Sequence, residues 1–143
     1  MTAPTPTTAI RLDLEPHPEG GWFRRTWTSP IPIETAGGTR PAATCIHYLL
    51  TPEESSAWHV VTSDELWLWH GPGRLELSLG GSAAAPGDAE TIVLGPDEAA
   101  QVLVPAGMWQ AARPMDDREV LVSCFVSPGF DFADWRLADS STV

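Results

Sequence analysis

The chain has 143 residues, and 19 acidic against 8 basic side chains give it a net charge of −11 at pH 7. A surface of that sign repels phosphate backbones and anionic lipids, so we expect neither nucleic-acid binding nor membrane binding. All eight basic residues are arginine, which excludes mechanisms that depend on a lysine amine.

Short apolar runs separated by glycine and proline follow one another along the chain. Ten of them have the length and period of β-strands: residues 10–14, 22–28, 43–50, 58–61, 65–70, 74–79, 90–94, 101–105, 109–113 and 119–126. One short helical turn is predicted near the C-terminus, within residues 132–137. Many short strands without a dividing linker predict an all-β barrel or jelly roll over residues 10–138. We expect a disordered N-terminus at 1–9 and a tail at 139–143.

The N-terminal residues lack the basic and apolar regions of a signal peptide. No run approaches the roughly 18 apolar residues of a membrane span. These features favour a cytoplasmic protein, in which Cys45 and Cys124, each within an apolar strand, are expected to be buried free thiols.

Residues 58–70 contain the first candidate catalytic residues. His59, Glu65, Trp67 and Trp69 share strand parity, so a tight turn at 62–64 would let them line one concave face. An imidazole and a carboxylate among indoles form a candidate acid–base pair. The alternative is a buried histidine–glutamate hydrogen bond that serves only the fold.

Four motifs occur in order along the chain: His17-Pro-Glu-Gly-Gly21, Ser63-Asp-Glu-Leu-Trp67, Val104-Pro-Ala-Gly-Met-Trp-Gln110 and Pro128-Gly-Phe-Asp-Phe132. Together they resemble a small, functionally uncharacterised branch of the cupin superfamily. The resemblance implies a cupin-type double-stranded β-helix, which is a jelly-roll barrel, and a homodimer.

A metal-binding cupin supplies three histidines and one glutamate to its metal. In this chain His59 and Glu65 occupy the first and last of those positions, but Val61 and Gln110 stand in the other two. A carboxamide is a poor substitute for imidazole, so we predict neither a metal nor another cofactor. A divalent metal held by His59 and Glu65 is the less favoured alternative, and it would need a further ligand from among His17, His47 and His70.

The remaining candidates follow from what each side chain can do. We predict that His59 is the catalytic base, that Glu65 orients or assists it, and that Tyr48 is a candidate acid. The family resemblance implies different directions for two arginines: Arg24 would hold an anionic group of the substrate, and Arg25 would face outward. The other predicted substrate-binding residues are Gln110, Gln101, Trp67, Trp69, Phe23 and Glu19, although Glu19 also fits a purely structural turn.

The sequence favours an enzyme that transfers protons next to a carbonyl group. An isomerase, epimerase or lyase acting on a small sugar-like or carbonyl-containing molecule fits the predicted groups. Two alternatives remain: a non-catalytic cupin that binds a small ligand, and a metal-dependent oxygenase or isomerase with an incomplete ligand set.

Overall fold

A computed structural model describes residues 4–139 of the chain. Its first element is a helix, α1 (Thr7–Leu12), which differs from the disorder and strand predicted there. The helix ends at Asp13, which adopts a left-handed conformation with φ 57°. Ala9 of the helix packs with Leu14 and Leu49 in a small apolar cluster beside the main core. Burial of this short apolar face therefore favours a helix where the local alternation suggested a strand.

The strands of the described chain form two facing sheets and a hairpin. Their bounds are β1 (Glu15–Pro16), β2 (Trp22–Thr28), β3 (Pro32–Thr35), β4 (Gly38–Pro41), β5 (Thr44–Leu50), β6 (Ser56–Val61), β7 (Asp64–Pro72), β8 (Leu75–Leu79), β9 (Glu90–Leu94), β10 (Gln101–Val104), β11 (Gln110–Pro114), β12 (Val120–Ser127) and β13 (Trp135–Leu137). A 3₁₀ turn, Phe132–Asp134, precedes β13.

From β5 onward, successive strands of the chain mostly alternate between the two large sheets. A six-stranded sheet has the order β1-β2-β5-β12-β7-β10, and a five-stranded sheet has the order β13-β6-β11-β8-β9. All strand pairs within these sheets are antiparallel. Alternate side chains of each strand point between the sheets and form the core, for example Leu75 and Leu77 on β8 and Val120 and Val122 on β12. The predicted all-β jelly-roll class and its short C-terminal helical turn are confirmed.

Most predicted strands coincide with observed ones to within a few residues. The β3–β4 hairpin was not predicted, because Pro30, Pro32 and Pro41 interrupt the apolar alternation there. Residues 1–3 of the predicted disordered N-terminus and 140–143 of the predicted tail lie outside the described residues. Cys45 and Cys124 are both free thiols, of which Cys124 is buried.

No helix in the described part of the chain is long and apolar enough to cross a bilayer. The homodimer implied by the family resemblance stays a prediction.

Candidate functional site

A cavity of about 520 Å³ opens between the two sheets at one end of the barrel. Side chains from both sheets, from the segment before β2 and from the segment after β12 surround it. They are His17, Glu19, Phe23, Arg25, Thr44, Ile46, Tyr48, His59, Val61, Glu65, Cys124, Val126, Phe130, Asp131, Phe132 and Trp135.

A tight turn before β2 brings His17 and Glu19 to the cavity. The His17 backbone N–H donates to Gly21 O at 2.9 Å, and the Gly20 N–H donates to His17 O at 3.0 Å. Gly20 has a φ of 112°, and a Cβ at this position would lie 2.0 Å from Ser55 O. Only glycine fits both the conformation and the close approach, so Gly20 permits the turn that aims the two functional side chains inward.

Glu19 connects several polar groups in the wall of the cavity. Its Oε2 accepts a hydrogen bond from Ser56 Oγ at 2.5 Å, and its Oε1 accepts one from Trp135 Nε1 at 3.3 Å. The same Oε2 lies 3.5 Å from His59 Nε2. Glu19 is buried, so these partners replace the water that a carboxylate would otherwise bind. The carboxylate that lies beside His59 is therefore Glu19, whereas the sequence predicted Glu65.

His59 lies on β6 and is only 2% exposed. Its Nδ1 is 2.7 Å from Ala57 O. A carbonyl oxygen can only accept, so in the neutral ring Nδ1 carries the proton and Nε2 keeps its lone pair. That lone pair belongs to a side chain that lines the cavity, and Glu19 stands beside it to stabilise the ring when Nε2 gains a proton.

His17 is the second histidine at the cavity. Its Nδ1 accepts a hydrogen bond from the Glu19 backbone N–H at 3.1 Å, and it lies 3.5 Å from Glu19 Oε1. Burial lowers the pKa of His17, the charge of Glu19 opposes that change, and His59 adds to it.

Glu65 approaches the cavity from β7, in the opposite sheet from His59. Gln110 Nε2 donates to Glu65 Oε1 at 2.9 Å, and Trp67 Nε1 donates to Gln110 Oε1 at 2.8 Å. Because an indole N–H can only donate, Trp67 fixes which end of the Gln110 amide faces Glu65. Burial raises the pKa of Glu65, while His59 and the Gln110 hydrogen bond partly oppose that rise.

Tyr48 lies on β5 and is almost fully buried. Its hydroxyl donates to Gly20 O at 2.5 Å, which ties the strand to the turn described above. Burial raises the pKa of the phenol well above its usual range. The side chain lines the cavity, but its proton is engaged with the backbone.

The two arginines of β2 lie opposite to their predicted directions. Arg25 lines the cavity, and its Nη2 donates to Phe130 O at 2.9 Å. Arg24 points away from the cavity, and its Nε donates to Leu12 O at 3.1 Å. Phe23, which lines the cavity as predicted, explains the exchange, because residues two apart on a strand share a face.

Gln110, which was predicted to bind substrate, does not line the cavity, because Trp67 and Glu65 hold both ends of its amide. Three other predicted substrate-binding side chains do not reach the cavity either. Trp67 faces the interior of the barrel but lies deeper, where its ring packs edge-on against Tyr48 at 6.0 Å between centroids. Trp69 donates its indole N–H to Gly73 O at 2.8 Å, and Gln101 is exposed at the start of β10. The predicted indole walls are therefore corrected to core packing.

The aromatic walls come instead from Phe23 and from the segment after β12. Phe130 and Phe132 meet edge to face at 4.9 Å, and Phe132 and Trp135 do so at 5.4 Å. Residues 128–132 carry one of the four motifs that support the family resemblance, and that signal could have placed these rings at the site.

Comparison with known proteins identifies the family. Residues 7–138 match the model of a family described as Cupin superfamily (DUF985). The chain belongs to this cupin family. An uncharacterised protein of Saccharomyces cerevisiae, YML079W, is 32% identical in an alignment 139 positions long, and the match covers 82% of this chain and 67% of that protein.

Two solved structures agree with this membership of the cupin superfamily. Protein SO0799 from Shewanella oneidensis is 32% identical with a TM-score of 0.85, over 94% of this chain and 84% of that one. A hypothetical protein from Leishmania major is 32% identical with a TM-score of 0.80, over 90% and 83% of the two chains.

The metal centre of other cupins does not fit the residues present in this one. Val61 lines the cavity but has no ligand atom, and both ends of the Gln110 amide are held, by Trp67 and Glu65. His17 lies near the site, but the Glu19 amide occupies its Nδ1. Among residues 4–139, no group of three His, Cys, Asp or Glu side chains is arranged to hold a metal ion.

Proposed function

We propose that the cavity binds a small carbonyl-containing molecule and that His59 removes a proton from the carbon next to the carbonyl group. The observation that carries this proposal is the pair of contacts to the His59 ring. Ala57 O accepts a hydrogen bond from Nδ1, with 2.7 Å between the two atoms. The basic Nε2 is therefore left at the cavity beside Glu19. Histidine in this state is suited to general-base catalysis near neutral pH.

Glu19 supports the base in this reaction. When Nε2 takes a proton the ring becomes positively charged, and Glu19 Oε2 at 3.5 Å is then the opposite charge beside it. The Ser56 hydroxyl keeps that oxygen in place. An orienting carboxylate of this kind stabilises the imidazolium without accepting its proton.

Glu65 supplies the complementary proton. It faces the cavity from the sheet opposite His59, and burial raises the pKa of its carboxyl group. A carboxyl group on one side and an imidazole on the other suit removal of a proton from one face of a carbon and delivery to the other. This arrangement favours an epimerase or isomerase, and a lyase would use the same first step.

The lining also supports a small organic substrate. Phe23, Phe132 and Trp135 provide apolar walls on which a sugar-like ring can pack. Arg25 is exposed and keeps guanidinium donors beyond its bond to Phe130 O, so it can hold an anionic group of the ligand.

Hydrogen exchange in D2O tests the proposed function. The wild-type protein is incubated with a panel of aldoses, ketoses and 2-oxo acids, and proton NMR follows the loss of signal at the carbon next to the carbonyl group. We expect exchange with at least one compound, and we expect His59→Gln to slow it by about 100-fold or more.

The matched control is His70→Gln, because His70 is exposed and contacts Ser123 rather than the cavity. Full exchange activity in His59→Gln would refute its role as base. A compound that quenches tryptophan fluorescence but exchanges no hydrogen with wild-type protein would show instead a non-catalytic, ligand-binding cupin.

A further inference from the structure

The proposed reaction gives no role to the histidine of the turn before β2, although its side chain lines the cavity. The Glu19 backbone N–H donates to His17 Nδ1 at 3.1 Å. An amide nitrogen has no lone pair to offer as an acceptor, so His17 Nδ1 must hold its own lone pair. The neutral His17 ring therefore carries its proton on Nε2. This tautomer is opposite to that of His59, whose proton lies on Nδ1.

The surroundings of His17 keep the ring neutral. Aromatic rings pack against it, with centroid distances of 4.5 Å to Phe23, 5.5 Å to Tyr48 and 6.1 Å to Phe132. A proton on Nδ1 would also break the hydrogen bond from the Glu19 amide. Burial lowers the pKa of the ring more than the Glu19 carboxylate raises it. His17 is thus a neutral N–H donor held in fixed orientation at a cavity whose other histidine is a base.

We infer that His17 Nε2–H is the hydrogen-bond donor for the substrate's carbonyl oxygen, an inference that rests on the proposed function. In the first step the C–H bond next to the carbonyl group breaks, and His59 Nε2 takes the proton. The electron pair of that bond forms a carbon–carbon double bond, and the carbonyl π pair moves onto oxygen. The resulting enolate oxygen is stabilised by the N–H of His17.

The second step reverses the first. The oxygen lone pair re-forms the carbonyl group, and the carbon takes a proton either back from His59 or from Glu65 on the other side. Return from His59 gives exchange with solvent when the proton on Nε2 has first exchanged with water. Delivery from Glu65 gives the epimer, after which His59 releases its proton to water and Glu65 takes one up. No oxidant or further reactant is needed. A donor aimed at the oxygen where negative charge develops is most effective when it is fixed before the reaction, and the Glu19 amide and the aromatic packing fix this one.

Two substitutions at His17 separate the donor from its structural role. In His17→Asn, the short amide oxygen can still accept the Glu19 N–H, but no atom reaches the position of Nε2. In His17→Gln, the longer amide can place an N–H group near that position. Thermal unfolding followed by circular dichroism checks that both variants fold.

The first measurement needs no substrate. Nitrogen-15 NMR of the histidine rings distinguishes the two neutral tautomers and the charged form. We expect His17 to be neutral at pH 7 with its proton on Nε2. A proton on Nδ1, or a charged ring at pH 7, would overturn the inference.

The second measurement uses a carbonyl compound whose hydrogen the wild-type protein exchanges. Loss of one preorganised donor to a developing oxyanion lowers kcat by about 100- to 1,000-fold. We expect His17→Asn to show a decrease of that size with a much smaller change in KM, and His17→Gln to recover part of the rate. Wild-type kcat in His17→Asn would overturn the donor role alone. If the wild-type protein exchanges no compound, the proposed function fails and the donor role fails with it.

Discussion

The contact between Gln110 and its two neighbours allows a quantitative test of the site's structure. Replacing Gln110 with leucine removes the acceptor of the Trp67 N–H and the donor to Glu65, two hydrogen bonds of 2.8 and 2.9 Å. Trp67 and Glu65, the two groups left without this partner, are 1% and 7% exposed, so water replaces the lost amide poorly. An orphaned buried polar group costs about 1–3 kcal/mol, and two of them give an expected loss of about 2–6 kcal/mol in the free energy of unfolding. Urea denaturation followed by circular dichroism measures it.

Gln101→Leu is the matched control, because Gln101 is exposed and lies outside the cavity. Its effect should stay within about 0.5 kcal/mol. Trp67→Phe, which removes the indole N–H, should make Gln110→Leu less costly, so the double variant should lose less than the sum of the two single variants by about 1 kcal/mol or more. Equal losses in Gln110→Leu and Gln101→Leu, or strict additivity with Trp67→Phe, would refute the bridging role of Gln110.

Two further predictions concern Glu65 and the metal site. Because burial raises the folded-state pKa of Glu65, wild-type stability falls as pH rises from the ordinary glutamate pKa through the raised one. Glu65→Gln should therefore gain stability relative to wild type with rising pH, by at most about 1.4 kcal/mol per pH unit, and parallel pH profiles of the two unfolding free energies would contradict this. Val61→His combined with Gln110→His restores the histidines of the cupin ligand set, so it should bind Ni²⁺ or Mn²⁺ in calorimetric titrations where chelator-treated wild type does not. Stoichiometric, tight binding by wild type would show that the present donor set suffices.

Strand periodicity predicted much of the fold and part of the site. Alternation places Glu65 and Trp67 on the interior face of β7, and both lie there. It does not give the depth at which the cavity ends, because that depends on which large side chains from other strands fill the barrel. Tyr48 packs against Trp67 and separates that indole from the cavity. An interior position was therefore predictable for Trp67, and a ligand-facing position was not.

The arginine pair shows a different kind of error. Phe23 and Arg24 are neighbours on one strand, so period-two alternation does not allow both to face the cavity. The prediction for Arg24 followed the family resemblance instead of that rule, whereas the structure follows the rule and places Arg25 on the same face as Phe23. Neither strand alternation nor the family resemblance predicted the contact of Glu19 with His59, because this contact joins a turn to a strand 40 residues further along the chain.

Because Glu19 rather than Glu65 lies beside His59, the two carboxyl groups can be given separate roles in acid–base catalysis. The oxygens of Glu19 accept hydrogen bonds from Ser56 and Trp135, and one of them lies 3.5 Å from His59 Nε2. Glu65 accepts a hydrogen bond from Gln110, and burial raises the pKa of its carboxyl group. If Glu65 were the partner of His59, one carboxylate would have to serve both as counter-charge and as proton donor. With Glu19 beside the base and Glu65 across the cavity, each carboxyl group has an environment suited to one of those tasks.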